Sequence, residues 1–183
     1  MILKLLFLHF FSFYLKEMLL SQYLIQDYEG IQSMLKYAFI DPEEERLLLS
    51  PQHPVVLVLK RSNELNHTAS RQESLGFMLP YTPLHILLCE DSPGYPDVLV
   101  MTSGNISEEP ISFLDDEALN HLSGIADGFL THNREIHTRV DDSVIRIFEK
   151  KVYPLRRARG FAPVTIQFPA NLPPILACGS ELK

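Results

Sequence analysis

The chain has 183 residues, of which 46% are hydrophobic and 21% charged, so it falls in the globular range and can form one domain with a buried core. Its formal net charge of −7 argues against a protein that binds a nucleic-acid backbone, because such proteins concentrate Lys and Arg. The two cysteines, Cys89 and Cys178, have no partner at metal-ligand spacing. The sequence therefore predicts neither a zinc site nor a disulfide framework, and a reducing cytoplasm is the simplest location.

The first 21 residues form an apolar N-terminal segment, in which residues 5–15 have the sequence LLFLHFFSFYL. This run resembles the apolar part of a signal peptide. Against that interpretation, His9 interrupts the run, no A-x-A-like cleavage site follows, and the run is shorter than the roughly 20 residues that span a bilayer. The alternatives are a buried helix or non-native sequence at a truncation point, and we expect no membrane partner.

Two helices and a strand are predicted next. Apolar positions recur at helical spacing over residues 28–39, so one face of a helix can be buried. A second helix begins at Pro42, with Asp41 as its N-cap and three glutamates in its first turn, and ends near Ser50. Residues 55–59, VVLVL, are typical of a strand that is covered on both faces. This order of elements predicts a mixed α/β architecture.

The second half of the chain continues the alternation of strands and helices. After a polar loop at residues 62–74, a strand is predicted at residues 75–79, followed by a short helix that begins at Pro83 and is capped by Thr82. The remaining predicted elements are strands at residues 98–101 and 128–130, a helix at 115–122, and a hairpin of residues 144–148 and 152–156. Prolines indicate a linker at residues 164–174, after which residues 175–183 begin another strand.

The segment TSGN, residues 102–105, follows the predicted strand at residues 98–101 directly. The carboxyl ends of strands are where α/β sheets bind ligands. Gly104 permits a tight turn, and the Ser103 hydroxyl and the Asn105 amide offer donors and acceptors to a phosphate or a ribose. Because small polar residues after a strand are commonly an ordinary turn, the residue types alone do not decide between the two interpretations.

Three arginines follow the last predicted strand in the segment LRRARG, residues 155–160. Arginine side chains form forks that match the geometry of phosphate. If the strand continues, its alternation places Arg157 and Arg159 on one face, where both can bind the same anion. The alternative is a solvated basic edge that prevents pairing with another strand.

Asp141 and Asp142 precede a predicted strand. Paired carboxylates can hold a magnesium ion beside phosphates, but we favour a strand entry that is fixed by nearby arginines. His85, His132 and His137 fit no metal-ligand spacing, so no metal-binding residue is assigned. His132 stays open as an acid or base.

Several long blocks resemble, in order and spacing, the HypF carbamoyltransferases. They are LGFMLPYTPLHILL at residues 75–88, VLVMTSGNISEEPI at 98–111, IADGFLTHNREIHTRVDDSVIR at 125–146 and LRRARGFAP at 155–163. The resemblance runs from about Tyr23 to the last residue, and long blocks in register are more specific than one short motif. It implies a partial YrdC-like domain at residues 22–163, the linker, and the start of a Kae1-like domain at residues 175–183.

The resemblance implies an ATP-dependent reaction that forms carbamoyl adenylate from carbamoyl phosphate or carbamate, with ATP and an accompanying Mg²⁺ as cofactors. The carbamoyl group would then pass to the C-terminal cysteine of a HypE-like partner protein during maturation of nickel–iron hydrogenase. At the level of the family it also implies binding of double-stranded RNA. No DNA partner is expected.

The resemblance also assigns residues to the nucleotide site. The TSGN segment is similar to the Ser-x-Asn nucleotide-contacting motif of YrdC-like domains, which assigns Ser103 and Asn105, with Thr102 beside them. Ser143, Arg157 and Arg159 lie in blocks that are similar to the segments closing the same cavity. Catalytic residues stay unassigned, because adenylyl transfer depends on positioning and charge neutralisation more than on acid–base groups.

The chain departs from the YrdC-like pattern at its N-terminal side. A Lys-x-Arg element normally precedes the helix predicted at Tyr28, and only the apolar N-terminal segment stands there. The resemblance thus predicts a YrdC-like twisted mixed sheet, flanked by helices and incomplete at its N-terminal side, in a truncated piece that lacks independent turnover. Loss of early strands would leave the strand at residues 55–59 uncovered and prone to aggregation.

Two other functions stay open at this point. A non-catalytic remnant or interaction fragment would dock onto a full maturation protein through exposed apolar surface. A threonylcarbamoyl-adenylate synthase acting in tRNA modification is disfavoured by the acidic balance of the chain. It is also disfavoured by Met78, because the synthases have an Arg at this position, whereas HypF sequences tend to lack that Arg.

Overall fold

The structure is a computed structural model that describes residues 22–25, 30–62, 64–65, 72–89, 98–106, 109–164, 173 and 175, with residues 22–25 described as backbone only. Several expectations from the sequence lie outside these residues: the apolar N-terminal segment, Cys178, most of the linker, and the strand predicted after residue 175. Within the described ranges, no helix is long and apolar enough to cross a membrane.

The described residues form seven strands and four short helices in a mixed order. In chain order the elements are β1 (Gln22–Ile25), α1 (Ile31–Met34), β2 (Ala38–Phe39), α2 (Pro42–Leu48), β3 (Val55–Lys60), β4 (Ser74–Met78), α3 (Pro83–Leu88), β5 (Val98–Met101), α4 (Asp115–Leu122), β6 (Val144–Phe148) and β7 (Lys151–Arg156).

All seven strands belong to one sheet, with the order β5-β1-β4-β3-β6-β7 and with β2 paired to the end of β3. The β1–β4 and β3–β6 pairs are parallel, and the other pairs are antiparallel. The predicted mixed α/β architecture is therefore confirmed. Following these pairings across the sheet shows that β5 and β6 run in the same direction.

Helix α2 begins as its sequence predicts. The Asp41 side chain accepts the backbone N–H groups of Glu43 and Glu44, each at 2.8 Å, and the Glu44 carboxylate accepts the N–H of Asp41 at 2.9 Å. Together with Pro42 in the first turn, this capping box satisfies backbone donors that an open helix end would leave unpaired. The helix turns Leu47 and Leu48 into the core.

The core covers both faces of the sheet, because successive residues of a strand point to opposite faces. Val56 and Val58 of β3 pack with Phe77 of β4 in the larger cluster, which also contains Met34 and Leu48. The opposite face carries a smaller cluster, whose buried members are Val55, Met78, Cys89, Leu99 and Val144.

The prediction that residues 55–59 lie uncovered is wrong. Val55, Val56 and Val58 are at most 1% exposed, and β3 is paired with β4 on one side and with β6 on the other. Only Leu59, near the end of β3, is open, with 56% of its surface exposed. Strand β1, which the sequence analysis did not predict, fills the position between β4 and β5.

The helix predicted at residues 28–39 is also corrected. Helix α1 ends at Met34, and Ala38 and Phe39 form β2, which pairs with Lys60 and Leu59 of β3. A tertiary contact explains the early end: the Arg61 guanidinium donates to the carbonyl of Leu35 at 2.9 Å. Ala38 and Phe39 thus form backbone hydrogen bonds with β3 and do not continue the helix that the spacing of the apolar residues predicted.

The strand predicted at residues 128–130 is wrong as well, since these residues have no regular structure. None of the strand pairings in the described part of the sheet includes them. Upstream, the N–H of Ala126 donates to the carbonyl of Leu122 at 2.8 Å, which closes the end of α4. A short apolar run becomes a strand only if a neighbouring strand offers a place in the sheet.

The hairpin of β6 and β7 confirms the predicted pair of strands. Its turn residues Glu149 and Lys150 have φ values of 49° and 60°. Positive φ at both central residues is the turn geometry that matches the twist of a two-residue hairpin. The chain therefore reverses tightly, and β7 leads directly to the arginine-rich segment.

Candidate functional site

The loop after β5 is held in shape by Asn105. Its side-chain N–H groups donate to the carbonyls of Ile106 at 2.8 Å and Glu109 at 2.9 Å. The N–H of Ser112 donates to the carbonyl of Gly104 at 3.0 Å, which ties the loop to the chain beyond it. These bonds hold the TSGN segment in a defined conformation.

The same loop keeps polar groups available. The Oδ1 atom of Asn105 is buried and has no hydrogen-bond partner within the described ranges. Leaving a buried acceptor unpaired costs about 1–3 kcal/mol, so the atom fits a donor supplied by a ligand or by ordered water. Thr102 is exposed and Ser103 half-buried, on the same edge of the sheet. The unpaired oxygen fits a hydroxyl donor such as that of a ribose, and the Thr102 and Ser103 hydroxyls are the groups of this loop that can donate to a phosphate.

A second group of polar side chains surrounds Arg159, and we call Arg159, Asp142, Tyr81, His53 and His85 the Arg159 cluster. The guanidinium donates through Nε to Asp142 Oδ1 at 2.8 Å, and it donates to the His53 carbonyl at 2.8 Å. A further bond to the carbonyl of Gln52 measures 3.3 Å.

The aromatic ring of Tyr81 supports the guanidinium from one side, since the Arg159 Cζ atom lies 3.9 Å from the ring centroid. A guanidinium stacked on an aromatic ring gains cation–π attraction while its edge stays free for hydrogen bonds. Asp142 and the two carbonyls occupy much of that edge. Arg159 is therefore bound inside the protein, and a phosphate would have to compete with these partners.

The Ser143 hydroxyl also forms its hydrogen bonds within the protein. Its side chain is fully buried, donates from Oγ to the carbonyl of Arg159 at 2.9 Å, and accepts the N–H of Ala158 at 2.8 Å. The hydroxyl thereby fastens the segment after β7 to the start of β6. In this conformation Ser143 positions Arg159.

Arg157 lies in a different environment from Arg159. Strand β7 ends at Arg156, so the alternation expected of a longer strand does not apply. The Arg157 side chain is exposed and donates to the carbonyl of Val164 at 3.1 Å, whereas Arg159 is bound to Asp142. The two arginines do not converge on one point, and Arg157 is the more accessible of the two.

The two aspartates pair with arginines. Asp142 is bound to Arg159 at 2.8 Å, and Asp141 lies 3.9 Å from the Arg156 guanidinium. This geometry favours the strand entry fixed by arginines over a magnesium site. In the part of the chain that the structure describes, no three His, Cys, Asp or Glu side chains form a group that could hold a metal.

Two imidazoles flank Tyr81. The His53 ring stacks on it with centroids 5.5 Å apart, and the His85 ring meets it edge-on at 4.7 Å. Burial, followed by the charges of Arg159 and His53, lowers the pKa of His85 to about 4. Burial and Arg159 also lower the pKa of His53, and burial raises the pKa of Tyr81 to about 12. All three rings are therefore neutral near pH 7.

His132, the other histidine considered from sequence, accepts the N–H of Arg134 at its Nδ1 atom at 3.2 Å. Cys89 is a buried free thiol, and burial raises its pKa to about 11. A thiol that stays protonated is a poor nucleophile. Cys89 therefore does not have the character of an activated nucleophile.

The residues predicted for one nucleotide site occupy two regions of the sheet. The TSGN segment follows the C-terminal end of β5, whereas Ser143 precedes the N-terminal end of β6, and both strands run in the same direction. Four strand spacings of about 4.8 Å separate β5 from β6, or about 19 Å across the sheet. A ligand that contacts both regions must be extended.

Sequence reasoning missed Tyr81 and His53 as members of the second region. Tyr81 precedes the capping residue Thr82, and His53 has an unusual φ of 43° in the turn before β3. Neither position belongs to a motif with a known chemical role. The segment YTPLH, in which an aromatic ring and a histidine are one helical turn apart, was the only local signal.

With both regions described, comparison with known proteins identifies the class. Residues 13–158 match the Sua5/YciO/YrdC family, whose description is "Telomere recombination". The chain belongs to this family. The match begins within the apolar N-terminal segment.

Within this class the chain is similar to HypF proteins. It is 41% identical over 155 residues to carbamoyltransferase HypF of Rhodobacter capsulatus, covering 83% of this chain and 20% of that protein. A crystal structure of full-length HypF in the phosphate- and nucleotide-bound form is 44% identical, with a TM-score of 0.70, over 79% of this chain and 22% of that one. The resemblance to the YrdC-like part of the HypF carbamoyltransferases is confirmed.

The comparisons also set two limits. The chain spans about a fifth of the length of the curated HypF proteins it matches. A structure of Pyrococcus abyssi Sua5 complexed with L-threonine is 18% identical, with a TM-score of 0.56, over 76% of this chain and 40% of that one. At that identity the similarity shows the shared fold alone.

Proposed function

We propose that this chain provides the nucleotide-binding part of a HypF-type carbamoyltransferase, in which ATP and a carbamoyl donor yield carbamoyl adenylate. The observation that carries the proposal is the 44% identity to a HypF structure described as phosphate- and nucleotide-bound. The TSGN segment supports it, because its loop is fixed while the Asn105 Oδ1 atom has no partner among the described residues.

The proposed reaction joins carbamate to the nucleotide. A carbamate oxygen attacks the α-phosphorus of ATP, a new O–P bond forms, and the bond to pyrophosphate breaks. Carbamate comes from carbamoyl phosphate by hydrolysis. The protein has to orient the two reactants and offset the charge on the phosphates, since no proton has to be removed from carbamate at neutral pH.

Of the six residues predicted for the nucleotide site, we propose that four contact the nucleotide and that two hold the protein segment in place. Thr102, Ser103 and Asn105 offer polar atoms at the sheet edge and are proposed to contact the nucleotide. Arg157 is exposed and is proposed to meet phosphate. Ser143 and Arg159 are bound within the protein, so they are proposed to hold the segment that carries Arg157.

The remaining parts of the proposal come from the HypF likeness. Mg²⁺ would accompany ATP, and the carbamoyl group would pass to a HypE-like protein in hydrogenase maturation. The proposed location is the cytoplasm. No feature of the described residues specifically favours threonylcarbamoyl transfer to tRNA over this function.

Calorimetric titration of the chain with ATP and Mg²⁺ tests the proposal. We expect saturable binding that weakens at least about tenfold in Ser103→Ala, the loss of one hydrogen bond to a charged group. Ser123→Ala is the matched control, because Ser123 is an exposed serine at the end of α4. Absence of ATP binding by the folded chain, or equal affinity of Ser103→Ala and the unaltered chain, would contradict the proposed site.

A further inference from the structure

One half of the sheet exposes apolar side chains on a single face. Val55 and Val144 are register partners in β3 and β6 and belong to the smaller buried cluster, so every second residue after them lies on the same side of the sheet. The cross-strand partners of those residues in β2 and β7 lie on that side as well. We call this surface the open face, and it consists of Phe39, Leu59, Arg146, Phe148, Lys151 and Tyr153.

The open face is large for a surface that stays in water. Phe39, Leu59, Phe148 and Tyr153 are each more than half exposed. Together they expose roughly 400 Å² of side-chain surface, which is as much as the largest apolar patch on a typical monomer, and patches of this size commonly mark protein interfaces. On the opposite side of the sheet, residues of α1 and α2 pack in the larger cluster. Only one side of these strands therefore lacks a covering layer among the described residues.

The charge of this region restricts what can cover it. Residues 144–157 contain five Lys or Arg and one Glu, although the net charge of the whole chain is −7. Arg146 lies opposite Tyr153 in the hairpin and Lys151 lies opposite Phe148, so both cations stand among the exposed rings. Two open faces packed against each other would bring like charges together, which is unfavourable. The occupant therefore has to be both apolar and acidic.

The backbone of the hairpin restricts the occupant further. Strand β7 is the last strand of the sheet in the described part of the chain, and Pro154 in its middle has no N–H to offer. A strand added along this edge would lack a hydrogen bond at that position. A helix that lies across the face needs no backbone bonds from β7, and helices on sheet faces are the usual layer arrangement of α/β proteins.

Helix α4 of this same chain has the required chemistry. Asp115 and Asp116 are exposed and lie one turn before Leu119, so the three side chains share one side of the helix. Leu119 is 43% exposed, and Leu114, directly before the helix, is 55% exposed. The exposed side of α4 is therefore apolar and acidic, whereas the open face is apolar and basic.

We propose that two copies of this chain associate, with α4 of each copy lying on the open face of the other. Each copy then contributes one helix and one face, so the pair is two-fold symmetric and closed. One open face supplies about half of the roughly 800 Å² that each partner buries in a standard interface, and the exposed side of α4 brings the total near that area. Asp115 and Asp116 meet Arg146 and Lys151 in both contacts.

Sedimentation equilibrium of the full chain, over a concentration series up to about 100 μM, measures the association. We expect a reversible equilibrium between monomer and dimer. The face variant carries Arg146→Glu and Lys151→Glu, and the helix variant carries Asp115→Lys and Asp116→Lys. Each variant alone should dimerise at least about tenfold more weakly, because it places like charges in both contacts.

An equimolar mixture of the two variants separates a lost contact from a lost fold. In a mixed pair an acidic face meets a basic helix in one contact, and a basic face meets an acidic helix in the other, so dimers should return. Tyr153→Ser, which removes an exposed ring without changing charge, should also weaken dimerisation. Glu45→Lys on the exposed side of α2 is the control and should dimerise like the unaltered chain.

Four results would overturn the inference. They are an unaltered chain that stays monomeric, face and helix variants that dimerise like it, a mixture of the two that stays monomeric, and growth beyond a dimer. A monomeric chain would leave the open face to a different partner protein.

Discussion

Arg159 and Asp142 form a partly buried ion pair, with the guanidinium and carboxylate 2.8 Å apart and 24% and 22% of the side chains exposed. The pair joins the segment after β7 to the start of β6. The same guanidinium also binds backbone carbonyls more than one hundred positions away in the sequence. One side chain thus connects three parts of the chain at one end of the sheet.

Removing the carboxylate should destabilise the fold. Asp142→Ala leaves the guanidinium without its anion, and we expect the free energy of unfolding to fall by about 1–3 kcal/mol, less than for a fully buried pair because of solvent screening. Urea denaturation measures the change. The matched control is Glu43→Ala, which removes an exposed pair with Arg46 on α2 and should cost less than about 1 kcal/mol. Equal losses would show that the Arg159 pair has no special role.

Gly160 should not tolerate a side chain. Its φ is +83°, and an added Cβ would lie 2.6 Å from the carbonyl oxygen of Gln52. We expect Gly160→Ala to cost about 2 kcal/mol or more in unfolding free energy, because the clash involves backbone. Gly124→Ala is the control, since an added Cβ there meets nothing within 4 Å. A Gly160→Ala variant as stable as Gly124→Ala would contradict the described approach of these two segments.

The N-cap of α2 gives a prediction on a smaller scale. Asp41→Ala removes both side-chain bonds to the first turn and should lower the free energy of unfolding by about 1 kcal/mol. Asp116→Ala in the first turn of α4 is the comparison, because Asp116 contributes only through the helix dipole, about 0.3–1 kcal/mol. Thermal or urea denaturation measures both, and an Asp41→Ala variant with unchanged stability would rule out the capping box.

Acid should destabilise the protein through His85. Its folded-state pKa of about 4 lies below the ordinary value of 6.5, so between these values the unfolded chain binds more protons than the folded one. Stability is therefore unaffected by His85 above pH 6.5 and falls as the pH drops from 6.5 towards 4, by up to about 3 kcal/mol. Arg159 and His53, the charged or titratable neighbours that lower this pKa, act in the same direction.

Urea denaturation at pH 7.5, 6 and 5 checks this dependence. His85→Phe should flatten the loss of stability over that range, leaving the smaller part due to His53, whose pKa is also lowered. His121→Phe, on the exposed side of α4, should retain the loss. If His85→Phe and the unaltered chain lose stability in parallel, the imidazole is not held neutral by the fold.

Local rules predicted the elements whose signals lie within a few residues. Asp41 with Pro42 and Thr82 with Pro83 mark helix starts, and the structure places caps at both positions. The same rules failed where distant pairing decides the outcome. Ala38 and Phe39 join β3 despite their helical periodicity, and residues 128–130 stay irregular despite an apolar run. Periodicity reports which residues can be buried, but it does not report which partner strand is available.

In the candidate site, too, the sequence predicted the residues of a local motif but not the contacts between distant parts of the chain. The TSGN segment was identified because its residues are consecutive and follow a strand. The contacts of Arg159 with Gln52 and His53 span 107 and 106 positions, so no local pattern contains them. The internal hydrogen bonds of Ser143 and Arg159 could not be predicted from the sequence either, because serine and arginine side chains can bind phosphate as well as other parts of the protein.

The most direct test of the nucleotide site is a titration of the nitrogen-15-labelled chain with ATP and Mg²⁺, followed through its backbone amide signals. We expect saturable shifts concentrated at Thr102, Ser103, Gly104 and Asn105, and at Ser112, whose amide is bonded to this loop. Binding without shifts in that loop, or shifts confined to the β6–β7 hairpin, would contradict this expectation.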